Sequence, residues 1–170
     1  MEAHELHHLT RREHWPKTTH YYDTLADAFR AGQLHLLETP PAELLALPDP
    51  YDFAGRGSIP IPWDVVFYGG RYYLYWGPLP AILLAAWKSF SSPQVGDPVL
   101  VFAFGLGTLL FLELFVIELW KRYFPQLSWV TLLPALLAAS FLHPIVWLFN
   151  RPAVYEASIA AGQFFLLSGL

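Results

Sequence analysis

Three apolar stretches in the second half of this 170-residue chain, Pro98 to Trp120, Ser128 to Phe149 and Pro152 to Leu170, constrain its fold most. Each approaches the ~20 residues needed to cross a hydrocarbon layer roughly 30 Å thick. Between them lie Lys121-Arg122-Tyr123-Phe124-Pro125 and Asn150-Arg151-Pro152, polar breaks with proline that suit turns at a membrane surface. A shorter apolar piece, Leu79 to Phe90, follows Tyr72-Tyr73-Leu74-Tyr75-Trp76, aromatics suited to the headgroup level. It admits a spanning helix starting near Leu74 or a re-entrant half-helix, and the span is the expectation. The expected fold is mainly α: a polytopic helical membrane protein with three to four transmembrane helices, over about 74–90, 98–120, 128–149 and 152–170.

Composition agrees with a bilayer as solvent. Only 14% of residues are charged, against roughly 25% in a soluble domain, and 55% are hydrophobic. Residues 1–75 carry ten of the fourteen acids and six of the ten bases, so the chain divides into a polar first part and an apolar second. The net charge of -4 argues against nucleic acid as a partner, since a phosphate binder needs a basic stripe. With no cysteine, disulfides and thiolate sites are closed off.

The polar part is expected to be a disordered tail over 1–19, without the apolar core of a secretory signal, followed by an extramembrane cap over 20–75. Within Tyr22 to Leu37, Leu25, Ala26 and Phe29 recur at helical spacing among Asp23, Asp27 and Arg30, which predicts an amphipathic helix of two to three turns whose face Gly32 interrupts and which Thr39-Pro40-Pro41 ends. A short helix over Ala42–Ala46 follows Thr39-Pro40-Pro41, and Leu47 to Pro62 is expected to be loop. Val65 to Tyr68, Gly69-Gly70 and Arg71 to Tyr75 spell a hairpin with a Gly-Gly turn.

Several residues are candidates for chemistry. His4-Glu5-Leu6-His7-His8 matches a zinc-protease pattern, but its place in a polar tail makes that match spurious. Asp23, Asp27, Asp49, Asp52 and Asp64 share the cap with Arg30, Arg56 and Arg71. Carboxylates act as general bases or hold a divalent metal, which stays possible here, and guanidinium groups pair with phosphate. The competing assignment is capping and turn chemistry: Asp49 and Asp52 lie in a proline turn, and Asp23 suits a helix start. Asp64 has equal claims to either role. In the apolar part, Glu118 has Lys121 and Arg122 at ion-pair spacing, Glu156 and Arg151 suit a wet membrane edge, and His143 precedes a kinking Pro144. Glu113 lacks a local partner and is a functional candidate.

Tyr21-Tyr22-Asp23-Thr24-Leu25-Ala26-Asp27-Ala28-Phe29-Arg30-Ala31-Gly32-Gln33-Leu34-His35-Leu36, Leu44-Leu45-Ala46-Leu47-Pro48-Asp49-Pro50-Tyr51-Asp52, Gly70-Arg71-Tyr72-Tyr73-Leu74-Tyr75-Trp76-Gly77-Pro78-Leu79-Pro80-Ala81 and Arg151-Pro152-Ala153-Val154-Tyr155-Glu156 together resemble bacterial polytopic membrane glycosyltransferases of the GT-C superfamily. The resemblance covers about residues 20–170, the N-terminal third of such enzymes. It implies transfer of a sugar from a polyprenyl-phosphate donor to an acceptor at the outer face of the cell membrane, with residues 20–75 as the external loop that carries the catalytic carboxylate. Lys17-Thr18-Thr19 stands where the family's usual acidic pair would be, so Asp64, Asp27 and Asp23 share the expectation for the base. Arg71, Tyr72, Arg30 and Glu113 are expected on the substrate side, with the lipid bilayer and the lipid-linked sugar as partners.

The apolar run ending at Leu170, and the lack of an apolar span before the cap, suggest the opening portion of a larger enzyme, inactive by itself. The distribution of Lys and Arg prefers the polar half on the cytoplasmic side, against that resemblance, although the preference weakens for long segments. The alternative is a non-catalytic small polytopic membrane or assembly protein.

Overall fold

The computed structural model describes residues 19–91 and 94–170. The polar tail with its His4-Glu5-Leu6-His7-His8 run lies outside the described residues, apart from Thr19. The chain is mainly helical, with one small hairpin in the polar part.

Helix α1, Tyr21–Arg30, buries Tyr22, Leu25 and Ala26 and turns its other face outward, as the apolar spacing predicts. Gly32, at φ +77°, ends it: its N–H reaches Phe29 O and that of Gln33 reaches Ala28 O, the Schellman arrangement that uses the left-handed freedom of glycine. A single turn, α2, follows over Ala42–Leu45. Within the stretch expected to be loop, Phe53–Arg56 form another turn, α3, because the Asp52 carboxylate accepts the Ala54 and Gly55 N–H groups at 3.0 Å each. Strands β1, Val65–Tyr68, and β2, Arg71–Leu74, pair antiparallel with Val65 opposite Leu74 and Tyr68 opposite Arg71. Gly69 and Gly70 both have positive φ, 56° and 76°, as a two-residue turn matched to strand twist requires. Val65, Phe67 and Tyr72 face a core shared with Leu36 and Leu44, and the Leu36 N–H bonds Tyr72 O at 2.9 Å.

The apolar part begins with α4, Leu79–Lys88, which packs on α1. At 1.5 Å per residue its ten residues extend about 15 Å, half a bilayer core. Helix α5, Asp97–Tyr123, has 27 residues and is long and apolar enough to cross a membrane. After a 3₁₀ turn at Trp129–Thr131, α6 spans Leu132–Leu142 and α7 spans Ile145–Asn150. The break is at His143, whose extended backbone (ψ 136°) reflects the steric demand of the following proline. Helix α8, Val154–Ser168, packs along α5: Val154, Ala157, Ala160 and Ala161 share one buried core with Val101 and Phe104, and the Phe104 ring meets those of Phe164 and Phe165. Small residues allow this approach: a Cβ on Gly105 would come within 2.5 Å of the Phe149 ring, and one on Gly107 equally close to Phe164.

Of the three to four spans expected, one, α5, has the length and composition to cross among the described residues. The 74–90 stretch divides between a strand end and a ten-residue helix, 128–149 breaks at Pro144, and 152–170 yields a 15-residue helix. Pro78 ahead of α4, Pro144 at the break and Pro152 ahead of α8 set three of these limits, whereas composition counts apolar residues without regard to where the helical hydrogen bonds stop.

Candidate functional site

Asp23 and Asp27 lie one turn apart on α1, and both point at Lys88 on the last turn of α4. The Lys88 Nζ donates to Asp23 Oδ1 at 2.9 Å and to Asp27 Oδ2 at 2.8 Å. Lys88 is 5% exposed, and Asp23, also largely buried, accepts the Val95 N–H at 3.1 Å as well. Arg30 lies 3.8 Å from the other Asp27 oxygen as an exposed i,i+3 neighbour. Two of the three carboxylates expected to act as base are therefore engaged in holding α1 to α4. Asp23 caps nothing. Burial pulls the Lys88 ammonium pKa down, but the hydrogen bonds and charges of Asp27 and Asp23 outweigh it and raise it overall.

The start of α1 is held from a distance. Asp97, fully buried, accepts the Tyr22 N–H on Oδ1 and the Tyr21 N–H on Oδ2, both at 3.1 Å, and its own N–H donates to Thr19 O at 2.8 Å. His20, at the cap position, makes no side-chain cap, so a residue some 75 positions away supplies it. Tyr22 is buried beside this joint, its OH donating to Gly77 O at 3.3 Å. Burial, with the Asp97 charge adding and a Ser158 hydrogen bond opposing, pushes its phenol up to about 12. Neither Asp97 nor Lys88 stood out in the sequence as functional.

Asp64 is placed differently. It precedes β1 with φ 61°, a left-handed backbone that non-glycine residues seldom adopt and aspartate tolerates better than most. Tyr75 OH donates to its Oδ1 at 3.0 Å, and no cation pairs with it among the described residues. Burial, and then the Asp64 hydrogen bond and charge, raise the Tyr75 phenol pKa. The Tyr21 phenol is likewise raised by burial and by the charges of Asp64, Glu38 and Asp97. Behind Tyr75 runs an aromatic ledge: its ring lies 4.6 Å from that of Trp76, which lies 4.9 Å from Tyr155 on α8. Trp63, beside Asp64, is 88% exposed. A half-buried carboxylate with a spare oxygen, a phenol and several ring faces can take a hydroxyl proton and seat an apolar ring face.

The next residue after that ledge departs from the wet edge expected for it. Glu156 is fully buried, with Arg151 Nε 3.9 Å from Oε1 and no hydrogen bond to either carboxylate oxygen among the described residues.

The other expected site residues are dispersed. Arg71 is exposed beside the hairpin turn, three residue steps or about 10 Å of strand from the end where Asp64 lies. Tyr72 is a correction to its expected substrate role: at 1% exposure it is a core residue, edge-on to Phe67. Alternation along β2 dictates this, turning Tyr72 inward between Arg71 and Tyr73. Glu113 accepts a short hydrogen bond from Ser140 Oγ, joining α5 to α6 far along the chain from the cap acids. Asp49 and Asp52 make the turn and cap bonds expected of them. Among the described residues no group of three His, Asp or Glu side chains converges as a metal site. No family model, curated protein or solved structure matches this chain.

Proposed function

We propose that this chain is part of a membrane-bound glycosyltransferase of the GT-C kind, with Asp64 as the general base. Asp64 carries the proposal because it is the one of the three candidate acids whose carboxylate is not engaged by Lys88 or Arg30. In this reading Asp64 accepts the proton of an acceptor hydroxyl as that oxygen attacks the anomeric carbon. The bond from sugar to the polyprenyl phosphate breaks, and the phosphate leaves with the electron pair. Tyr75 orients the base, the ledge of Trp76 and Tyr155 seats the sugar, and Arg71 at the other end of the hairpin meets the phosphate. The apolar face of α5 keeps the prenyl chain in lipid. The proposed location is a multi-pass position in the cell membrane.

The test is transfer of radiolabelled hexose from a short-chain polyprenyl-phosphate hexose to lipid or protein in membranes containing the whole enzyme of which this chain is proposed to be part. Label is expected in product, and Asp64→Asn is expected to reduce the rate by about 10²–10⁴, the usual share of a general base. Undiminished transfer by Asp64→Asn would remove Asp64 from the mechanism. The second reading, a non-catalytic membrane or assembly protein, draws on the engagement of Asp23 and Asp27 by Lys88, which gives those acids a purely structural use. It predicts no label in product from the wild-type protein.

A further inference from the structure

The two faces of α4 are both apolar, and only one of them is covered. Pro80, Ala81, Leu84 and Lys88 form the buried face against α1, whereas Leu79, Ile82, Leu83 and Trp87, with Phe90 in the turn beyond, form an exposed row. At 100° per residue that row occupies one side of the helix, and Phe90 is 91% exposed. No charge interrupts it. Beside it a cleft of about 390 Å³ opens between α1 and α4, lined by Phe29, Gly32, Gln33, Leu34, Ile82 and Ala85, with Leu34 75% exposed at its rim. Exposed apolar area of this extent marks a contact with something apolar.

We infer that α4 lies in the plane of the membrane surface, its exposed row among the upper acyl segments and the α1–α4 cleft accepting an acyl chain. The inference rests on the membrane reading of α5. Three observations favour lipid as the occupant. Ten residues reach about 15 Å, too short to cross the hydrocarbon core. Lys88 is locked to Asp23 and Asp27 on the cap, so this end of the helix cannot be drawn through the layer without stranding a charge there. After eight intervening residues comes α5, among the described residues the one helix long and apolar enough to cross, and it too exposes apolar side chains, Val99, Phe102 and Leu106. The 74–90 stretch is thus assigned to the interface in place of the span expected from its composition. The cap is thereby held flat on the bilayer, close to where a lipid-linked substrate would present its headgroup.

Because the chain has no cysteine, single cysteines can be introduced and spin-labelled without first removing any. Labels at Leu83→Cys, Trp87→Cys and Phe90→Cys, with Leu110→Cys on α5 as reference, are placed in phosphatidylcholine vesicles with the full chain. Collision with oxygen against a water-soluble nickel chelate then gives each depth. The three α4 labels are expected at one common shallow depth of about 5–10 Å below the phosphates, with Leu110→Cys much deeper. Depths that increase by about 1.5 Å per residue from 83 to 90 would mean a spanning helix and overturn the inference. Nickel-accessible α4 labels beside a buried Leu110→Cys would also overturn it, pointing to a protein occupant or to solvent. Nickel access at Leu110→Cys too would instead refute the membrane reading of α5.

Discussion

Replacing Lys88 by methionine is expected to destabilise the joint between cap and helices by about 3 kcal/mol. The ammonium is 5% exposed and serves two carboxylates, and removing one partner of a buried pair costs about 3–5 kcal/mol because a charge is left without compensation. The lower end applies here. Asp27 has 37% of its side chain exposed and can rehydrate, and Asp23 keeps the Val95 N–H. By the same reasoning Asp27→Asn alone should cost under about 1 kcal/mol, as exposed pairs do. The discriminating variant is the double Asp23→Asn/Lys88→Met: with no stranded charge at Asp23, it should be more stable than Lys88→Met alone. Denaturant unfolding in detergent micelles, followed by far-UV circular dichroism, gives the four values. A double variant at least as unstable as Lys88→Met would refute the stranded-charge argument, as would a Lys88→Met cost within about 0.5 kcal/mol of zero, the level of an ordinary surface change. The pH dependence follows from the same pair. A folded-state pKa above the ordinary 10.5 means the stabilisation is complete below that value and lost as pH rises through the folded pKa. Wild-type stability should therefore decline above pH ~10.5 by more than that of Lys88→Met.

Asp97→Ala strands the Tyr21 and Tyr22 N–H groups, and a cost of about 2 kcal/mol is expected in the same unfolding assay, with faster hydrogen exchange at both amides. Asp97→Asn keeps a single acceptor oxygen and should fall between. Gly105→Ala pushes a methyl group to within 2.5 Å of Phe149 and should cost about 1–3 kcal/mol, whereas Gly162→Ala, with nothing within 4 Å, should be neutral or stabilise by up to about 1 kcal/mol. Equal effects at the two glycines in thermal unfolding would contradict the packing described for α5, α7 and α8.

Local features were the legible ones. The period of Leu25, Ala26 and Phe29 sufficed for α1 and Gly69-Gly70 for the hairpin, because each is decided by residues within a few positions, whereas the end of α1 comes at Gly32 and not at the expected Thr39-Pro40-Pro41. His143-Pro144 likewise marked its own break. Helix α3 was hidden in a Pro- and Gly-rich loop, though Asp52 three residues before Gly55 is a cap signal. Tertiary partnerships were not legible. Asp23 meets Lys88 across 65 positions, and Tyr22 meets Asp97 across 75. Asp97-Pro98 opening an apolar run does signal a helix start, and a lone lysine within ten otherwise apolar or small residues does ask for a partner, but neither identifies it. Alternation along β2 is itself enough to place Tyr72 inside. The burial of Glu156 depends on how α8 meets its neighbours and had no local sign.

The separation of structural from functional acids is tested most directly by transfer activity per folded molecule of Asp64→Asn and Asp27→Asn, each introduced into the whole enzyme of which this chain is proposed to be part, in membranes that supply polyprenyl-phosphate hexose. Asp64→Asn is expected to lose about 10² or more of the rate with unfolding unchanged, while Asp27→Asn keeps its rate within a few-fold. Activity that survives Asp64→Asn and disappears in Asp27→Asn would contradict the account.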